Sequence, residues 1–266
     1  MNIGFIGLGN MGGSLARLIA QDERYRSELL LANRSLEKAE KIAAEVGGQP
    51  VSNKEVFAQA EVIFLGIKPA QFADLLADYH EVLEERDSLI LVSMAAGLSL
   101  ELLEKLTPSH HRWIRIMPNT PVTVGEGVIS YALSQKAYQA DEDLLRELLY
   151  SAGLLAKLEE KQLDAATALA GCGPAFVYLF IEALADAGFR AGLSRDIALQ
   201  LANQTLLGAA KLGQVSGQHP AQLKDQVCSP SGSTIAGVAS LEENAFRGTV
   251  MAAVQAAYQR TQELGK

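Results

Sequence analysis

Apolar and polar positions change rhythm along this chain, and the change divides it in two. In the first part, short continuous apolar runs alternate with longer stretches of helical period. Ile3-Gly4-Phe5-Ile6 predicts a strand and Met11–Ala20 a helix; Leu29–Ala32 predicts a second strand and Leu36–Val46 a charged helix. Val62–Leu65 and Leu89–Val92 predict two more strands with a helix, Gln71–Glu84, between them, and Ile114–Met117 predicts a fifth. Strands alternating with helices point to βαβ units and a parallel sheet. Runs that are apolar at every position, rather than every second one, predict a sheet covered on both faces. From about residue 156 the strand pattern ends. Leu163–Gly188 reads as a helix in which Ala175–Ile181 is apolar all round and therefore requires burial. Ser194 is the expected N-cap of a second helix bearing Ile197, Leu201, Leu206 and Leu207, and a third helix runs from about Leu241 to Leu264. A region of about 110 residues has little interior for so apolar a helix, so a second chain is expected to cover it. The expected division is 1–155 as an α/β domain and 156–266 as an all-helical one, meeting near Ser151–Leu158 without a Gly/Pro-rich linker.

Composition narrows the function classes. The chain has 266 residues, 48% hydrophobic and 20% charged, which fits a globular protein with a real core. Lys plus Arg number 23 and Asp plus Glu 31, a net charge of −8, so the electrostatic footprint of a nucleic-acid binder is missing. No polybasic segment addresses an anionic membrane. Two cysteines make no disulfide framework, and four histidines without ligand spacing make no metal site. The first residues carry neither a basic n-region nor a long apolar stretch, and no uninterrupted apolar run reaches about 18 residues. The expectation is a soluble cytoplasmic protein that engages neither nucleic acid nor membrane.

The strongest local signal is Gly7-Leu8-Gly9-Asn10-Met11-Gly12, a G-x-G-x-x-G between the first strand and a helix. Gly7 permits the tight turn, Gly9 lets a pyrophosphate approach the backbone, and Gly12 lets helix and strand pack closely. The free amides at the helix start then face the anion. In this strand–turn–helix context the motif predicts a dinucleotide site. The second strand ends Ala32-Asn33-Arg34-Ser35, without the acid that normally binds the ribose 2′-hydroxyl of NAD. Arg34, with the side chains of Asn33 and Ser35, can instead donate to a 2′-phosphate, so NADPH is expected over NADH.

The same opening motif, with Asn33-Arg34-Ser35, Gly66-Ile67-Lys68-Pro69, Met94-Ala95-Ala96-Gly97 and Arg115-Ile116-Met117-Pro118-Asn119-Thr120-Pro121, resembles the pyrroline-5-carboxylate reductase family. The resemblance continues through Leu169–Tyr178 and is most diagnostic at Leu223–Gly237, so it covers nearly the whole chain in family order. It implies a Rossmann-type N-terminal domain followed by an all-α dimerisation domain. The implied activity is NAD(P)H-dependent reduction of 1-pyrroline-5-carboxylate to L-proline, the last step of proline biosynthesis. It also implies a homodimer, and higher assemblies of dimers occur in the family. The implied cofactor contacts are Ile6, Gly7, Leu8, Gly9, Asn10, Met11, Asn33, Arg34, Asn53, Ile67, Lys68, Pro69, Met94, Ala95 and Ala96. Ser35 joins them from the reading of the second strand's end.

On the substrate side, the turn Pro230-Ser231-Gly232-Ser233-Thr234 leads toward a helix and can offer backbone amides to a carboxylate. The resemblance gives Thr234 the role of donor or relay at the ring nitrogen, with Gly232 and Ser233 beside it and Glu160 and Thr167 on the pocket side. Residue chemistry alone reads Glu160 equally as a solvated charge next to Lys161, and Thr167 as helix packing. Ser231 stands where the family has glycine, which argues against a left-handed backbone there. Cys172 replaces a common serine and reads as packing. Two other readings compete. A β-hydroxyacid or other imine reductase shares the layout, but the absence of lysine between Lys161 and Lys211 weighs against a hydroxyacid enzyme. A non-catalytic dinucleotide-binding relative is opposed by the intact glycine turn and by Ser233-Thr234.

Overall fold

The computed structural model describes residues 1–264 and divides into two compact units: Met1–Cys172 together with the chain end from Ala257, and Gly173–Ala256. The sheet ends at Lys157, close to the expected change of texture, but the first unit continues through a short helical segment to Cys172.

The first unit is built on eight strands: β1 (Ile3–Ile6), β2 (Leu29–Ala32), β3 (Gln49–Pro50), β4 (Val62–Leu65), β5 (Ile90–Ser93), β6 (Arg112–Pro118), β7 (Gly127–Leu133) and β8 (Gly153–Lys157). Their order is β3-β2-β1-β4-β5-β6-β7-β8, parallel throughout except for the β6–β7 pair. Because β1 lies between β2 and β4, the winding reverses there, and a crevice opens at the carboxyl ends of β1 and β4, where doubly wound sheets bind ligands. Every residue of β1, β2, β4 and β5 is buried, as continuous apolarity requires. One face packs Phe5, Leu31, Phe64 and Ile116, with Phe5 and Phe64 stacked at 4.8 Å. The other packs Ile63, Leu65, Leu91 and Trp113, whose indole Nε1 donates to Thr107 Oγ1 at 3.0 Å.

Two expected helices are broken. Gln71–Glu84 is a 3₁₀ turn at Pro69–Gln71 followed by helices Phe72–Asp78 and His80–Glu84, interrupted at Tyr79, which leaves helical geometry and packs on Phe57 at 5.2 Å. The expected Leu241–Leu264 helix is two helices, Ser233–Glu243 and Phe246–Leu264, parted where Ala245 takes φ +55°.

The second unit is helical: Gly173–Arg190, Arg195–Ser216, Pro220–Val227, Ser233–Glu243 and the first half of Phe246–Leu264. Ser194 caps the second of these, its side chain accepting from Ile197 N at 3.4 Å. Small residues bring the first two helices together, with Ala185, Ala198 and Ala202 forming the buried centre. Around them Val177, Tyr178, Leu179, Leu201 and Leu207 remain exposed, so the burial demanded by the apolar helix is not met within one chain. A groove of about 640 Å³ runs between the first two helices. The stretch Glu160–Arg190 is long and apolar enough, by length and composition alone, to cross a membrane.

Candidate functional site

The glycine turn sits at the winding reversal, and its three glycines differ in what surrounds them. Gly7 adopts φ +93°, and a Cβ there would stand 2.6 Å from Gly66 O at the end of β4. A Cβ on Gly12 would collide with Gly7 O, so this glycine serves the close approach of helix and turn. Around Gly9 a Cβ would meet no protein atom within 4 Å. That open space at the N-cap of the Asn10–Ile19 helix is where a pyrophosphate can reach the backbone. The residues present therefore fit a dinucleotide.

Neighbouring segments converge on this turn. A Cβ on Gly66 would lie 2.5 Å from Gly7 O and 3.0 Å from Met94 Cε, so the ends of β1, β4 and β5 meet here. Ile67, Lys68 and Pro69 continue from β4, and Lys68 is exposed at the head of the 3₁₀ turn. Ala95 is buried behind the site, its N donating to Ser93 Oγ at 3.2 Å, with Ala96 half-buried beside it.

At the end of β2, Asn33 does more than the sequence suggests. Its Oδ1 accepts from Leu8 N at 3.0 Å and its Nδ2 donates to Ser35 O at 3.2 Å, so it ties the glycine turn to the β2 loop. Arg34 is exposed, and Ser35 caps the next helix without a side-chain cap bond, which leaves its hydroxyl open. Ser52 caps the helix Asn53–Gln59 through a capping box with Glu55, and the half-buried Asn53 side chain is left uncommitted. The sequence reading missed Lys38 and Lys41. They line a cleft of about 340 Å³ with Leu8, Gly9, Asn10 and Arg17. Their spacing of four and seven residues beyond Arg34 is the available signal, since it places them on successive turns of one helix.

Glu160 and Thr167 lie in the helical segment that follows β8. Glu160 is not paired with Lys161, which pairs with Glu159 at 2.6 Å. Its Oε1 instead accepts from Leu100 N at 2.6 Å and from Arg115 Nη1 at 2.7 Å. Thr167 Oγ1 donates to Leu163 O at 2.7 Å, and Thr167 opens a π turn, Thr167–Gly171, closed by Cys172 N donating to Thr167 O at 3.0 Å. Such single π turns often mark functional sites. Asn119 braces this one, its Nδ2 donating to Ala170 O at 3.0 Å while its Oδ1 accepts from Val128 N at 2.8 Å.

In the second unit, Ser231 adopts φ +57° although it is not glycine. The bend is held by Gly232 N donating to Ser229 O at 3.0 Å, and a Cβ on Gly232 would strike Ser229 Oγ. A left-handed L-residue costs roughly 1–2 kcal/mol, an amount the turn sustains. Gly232 is the N-cap of Ser233–Glu243 and no side chain caps that helix, so the amides of Ser233 and Thr234 are open. Thr234 itself is exposed.

Comparison with known proteins agrees with both halves. Residues 160–264 match the model of the pyrroline-5-carboxylate reductase dimerisation family, and residues 2–97 match that of the coenzyme F420-dependent NADP oxidoreductases. The chain is 44% identical to pyrroline-5-carboxylate reductase of Pisum sativum over 98% of this chain and 95% of that one. It is 41% identical to the Synechocystis enzyme of the same name over 100% and 99%. Among solved structures it superimposes on Plasmodium falciparum pyrroline carboxylate reductase with NADP bound (TM-score 0.89, 35% identity, 100% and 98% covered). It also superimposes on the Coxiella burnetii pyrroline-5-carboxylate reductase (TM-score 0.91, 30% identity, 100% and 98% covered).

Proposed function

Because the chain belongs to the pyrroline-5-carboxylate reductase family, we propose that its two parts divide the family reaction between them. It reduces the C=N bond of 1-pyrroline-5-carboxylate to L-proline with NADPH, in proline biosynthesis. The observation that carries this reading is the unfilled space at Gly9, at the winding reversal of the sheet. Bound there, NADPH supplies the hydride.

In this reading residues 1–155 hold the cofactor and 156–266 supply the dimer contact and the substrate groups. Ile6 to Met11 receive the pyrophosphate, Asn53 the adenine side, and Ile67–Pro69 with Met94–Ala96 the nicotinamide side. Asn33, Arg34 and Ser35 favour NADPH over NADH by donating to the 2′-phosphate. The amides after Gly232 take the substrate carboxylate. The Thr234 hydroxyl, both donor and acceptor, lies beside the ring nitrogen and relays to it from solvent the second proton that the amine takes up once the imine carbon has gained its hydride. Glu160 and Thr167 border the substrate.

The helical part is the family's dimerisation region, and we assign the cover of its apolar helix to a second copy of this chain. Lipid is disfavoured because Glu182 and Asp186 interrupt the apolar stretch, and charges at bilayer depth are costly. Two free, half-buried cysteines suit a reducing compartment, and we assign the enzyme to the cytoplasm.

Steady-state kinetics with 1-pyrroline-5-carboxylate and NADPH test the assignment. Thr234→Ala should leave the KM for NADPH nearly unchanged and lower kcat/KM for the imine by a factor of about 10² or less, since water can replace the hydroxyl. Thr234→Ser should retain more activity. A folded Ala variant with wild-type turnover removes Thr234 from the chemistry.

A further inference from the structure

Arg115 occupies the middle of β6, opposite Ser93 of β5 and Ala132 of β7, and its side chain is only 5% exposed. A guanidinium does not lose its proton in a protein, so burial on a sheet face requires an anion beside it. Among the described residues that anion is Glu160, 45 residues away in sequence. The guanidinium is otherwise poorly satisfied, with Nε buried and unpartnered. Hydrophobic residues of similar size would pack this sheet face without such a penalty. The pair therefore calls for an explanation beyond stability.

The hydrogen bonds suggest one. Both donors, Arg115 Nη1 and Leu100 N, converge on the same carboxylate oxygen, Oε1, at 2.7 and 2.6 Å. Oε1 is thereby pinned by two donors, while Oε2 accepts no hydrogen bond among the described residues and the side chain stays 32% exposed. Arg115 is level with Ser93, the residue before Met94–Ala96, so the carboxylate stands at the same carboxyl end of the sheet as that segment.

We propose that Arg115 is a positioning residue that clamps Glu160 by Oε1 so that Oε2 faces the nitrogen of a protonated cyclic imine. This rests on the reading above that Glu160 borders the substrate. A fixed negative oxygen attracts the iminium N–H and repels the ring carboxylate, so it selects one orientation of a zwitterion. Arg115 touches neither substrate nor cofactor and acts only through Glu160.

The test uses the assembled enzyme with 1-pyrroline-5-carboxylate and NADPH. Glu160→Gln and Arg115→Met should each raise the KM for the imine about ten-fold or more, the usual effect of losing a charge-assisted hydrogen bond, with the KM for NADPH within two-fold of wild type. The double variant should be no worse than the more affected single, because both remove one interaction. Arg115→Lys, which keeps the charge but not the planar fork, should fall between wild type and Arg115→Met. Competitive inhibition adds a readout that a merely structural role would not move. Wild type should bind L-proline in preference to tetrahydrofuran-2-carboxylate, in which oxygen replaces nitrogen, and Arg115→Met should lose that preference. A folded Arg115→Met enzyme with wild-type imine KM, or single effects that multiply in the double variant, overturns the proposal. If Arg115→Met does not fold, Arg115→Lys decides: a raised imine KM at unchanged NADPH KM supports the clamp, and a wild-type imine KM refutes it. A silent Glu160→Gln instead removes Glu160 from the substrate site. A sensitive Glu160→Gln beside a silent Arg115→Met removes only the clamp.

Discussion

His111 shows how much one buried ring can fix about the conditions a fold tolerates. It is 1% exposed, its Nδ1 accepts from Leu89 N at 3.2 Å and its Nε2 faces Leu83 O at 3.0 Å, an arrangement only the neutral ring can satisfy. Burial, and then the neighbouring His110, pushes its pKa down from 6.5 to about 4. The unfolded chain therefore takes up this proton first as pH falls, so the stability due to the neutral ring is complete above about 6.5 and is lost toward 4. Urea unfolding midpoints should decline across that window in the wild type. In His111→Gln, which cannot titrate, the decline over the same window should be shallower; equal slopes would show that the ring is not the titrating group. Arg34 is the residue on which cofactor choice turns. Arg34→Ala should raise the KM for NADPH at least ten-fold more than that for NADH, because the guanidinium can pair with the 2′-phosphate. Equal changes in the two KM values would mean that it stacks on adenine without selecting phosphate. Other roles at this scale were hidden from the sequence for a plain reason. Asn33 binding Leu8, and Glu160 binding Arg115 and Leu100, are contacts between residues 25, 45 and 60 positions apart, which no local pattern encodes.

The glycine turn lets two substitutions of the same size be told apart by what surrounds them. Gly9→Ala meets no protein atom, so its melting temperature should stay within a few degrees of wild type while NADPH affinity falls at least ten-fold. Gly12→Ala drives a methyl into Gly7 O, so stability should fall first, by roughly 1–3 kcal/mol. Thermal melts read against cofactor titration separate the two, and equal melting losses in both variants would contradict the open space at Gly9. This turn was legible in the sequence because strand, glycine spacing and helix are contiguous. So were β1, β2, β4 and β5, whose runs are almost wholly apolar, and β6, whose Ile114–Met117 run is broken only by Arg115. The strands β3, β7 and β8 were not: β3 is two exposed residues, β7 carries Ser130 and Tyr131 in its middle, and β8 is a half-exposed edge ending in Lys157. Helix interruptions were equally silent. Tyr79 leaves the helix to pack on Phe57, and Ala245 turns left-handed, where nothing in alanine's chemistry announces it.

At the scale of the whole molecule, the sequence required a burial that one chain does not provide. Tyr178 and Leu179 are 59% and 65% exposed on a helix whose neighbours should be apolar, and a patch of this kind marks an association surface. The resemblance to a dimerisation region explains why: the hydrophobic pattern specifies the assembly, not the protomer. The two units therefore differ in what completes them, and the difference has a consequence in time. The chain has a single tryptophan, Trp113, fully buried in the sheet-bearing unit, so its emission reports that unit alone. After dilution from denaturant, tryptophan fluorescence should recover as a first-order process whose rate is independent of protein concentration. Reductase activity should lag behind it, with a half-time that shortens in proportion to concentration, because a surface completed by another molecule cannot form faster than two molecules meet. Activity that returns in step with fluorescence at every dilution would show that the helical unit completes itself. The exposed helix thus sets a bimolecular clock on the appearance of a working enzyme.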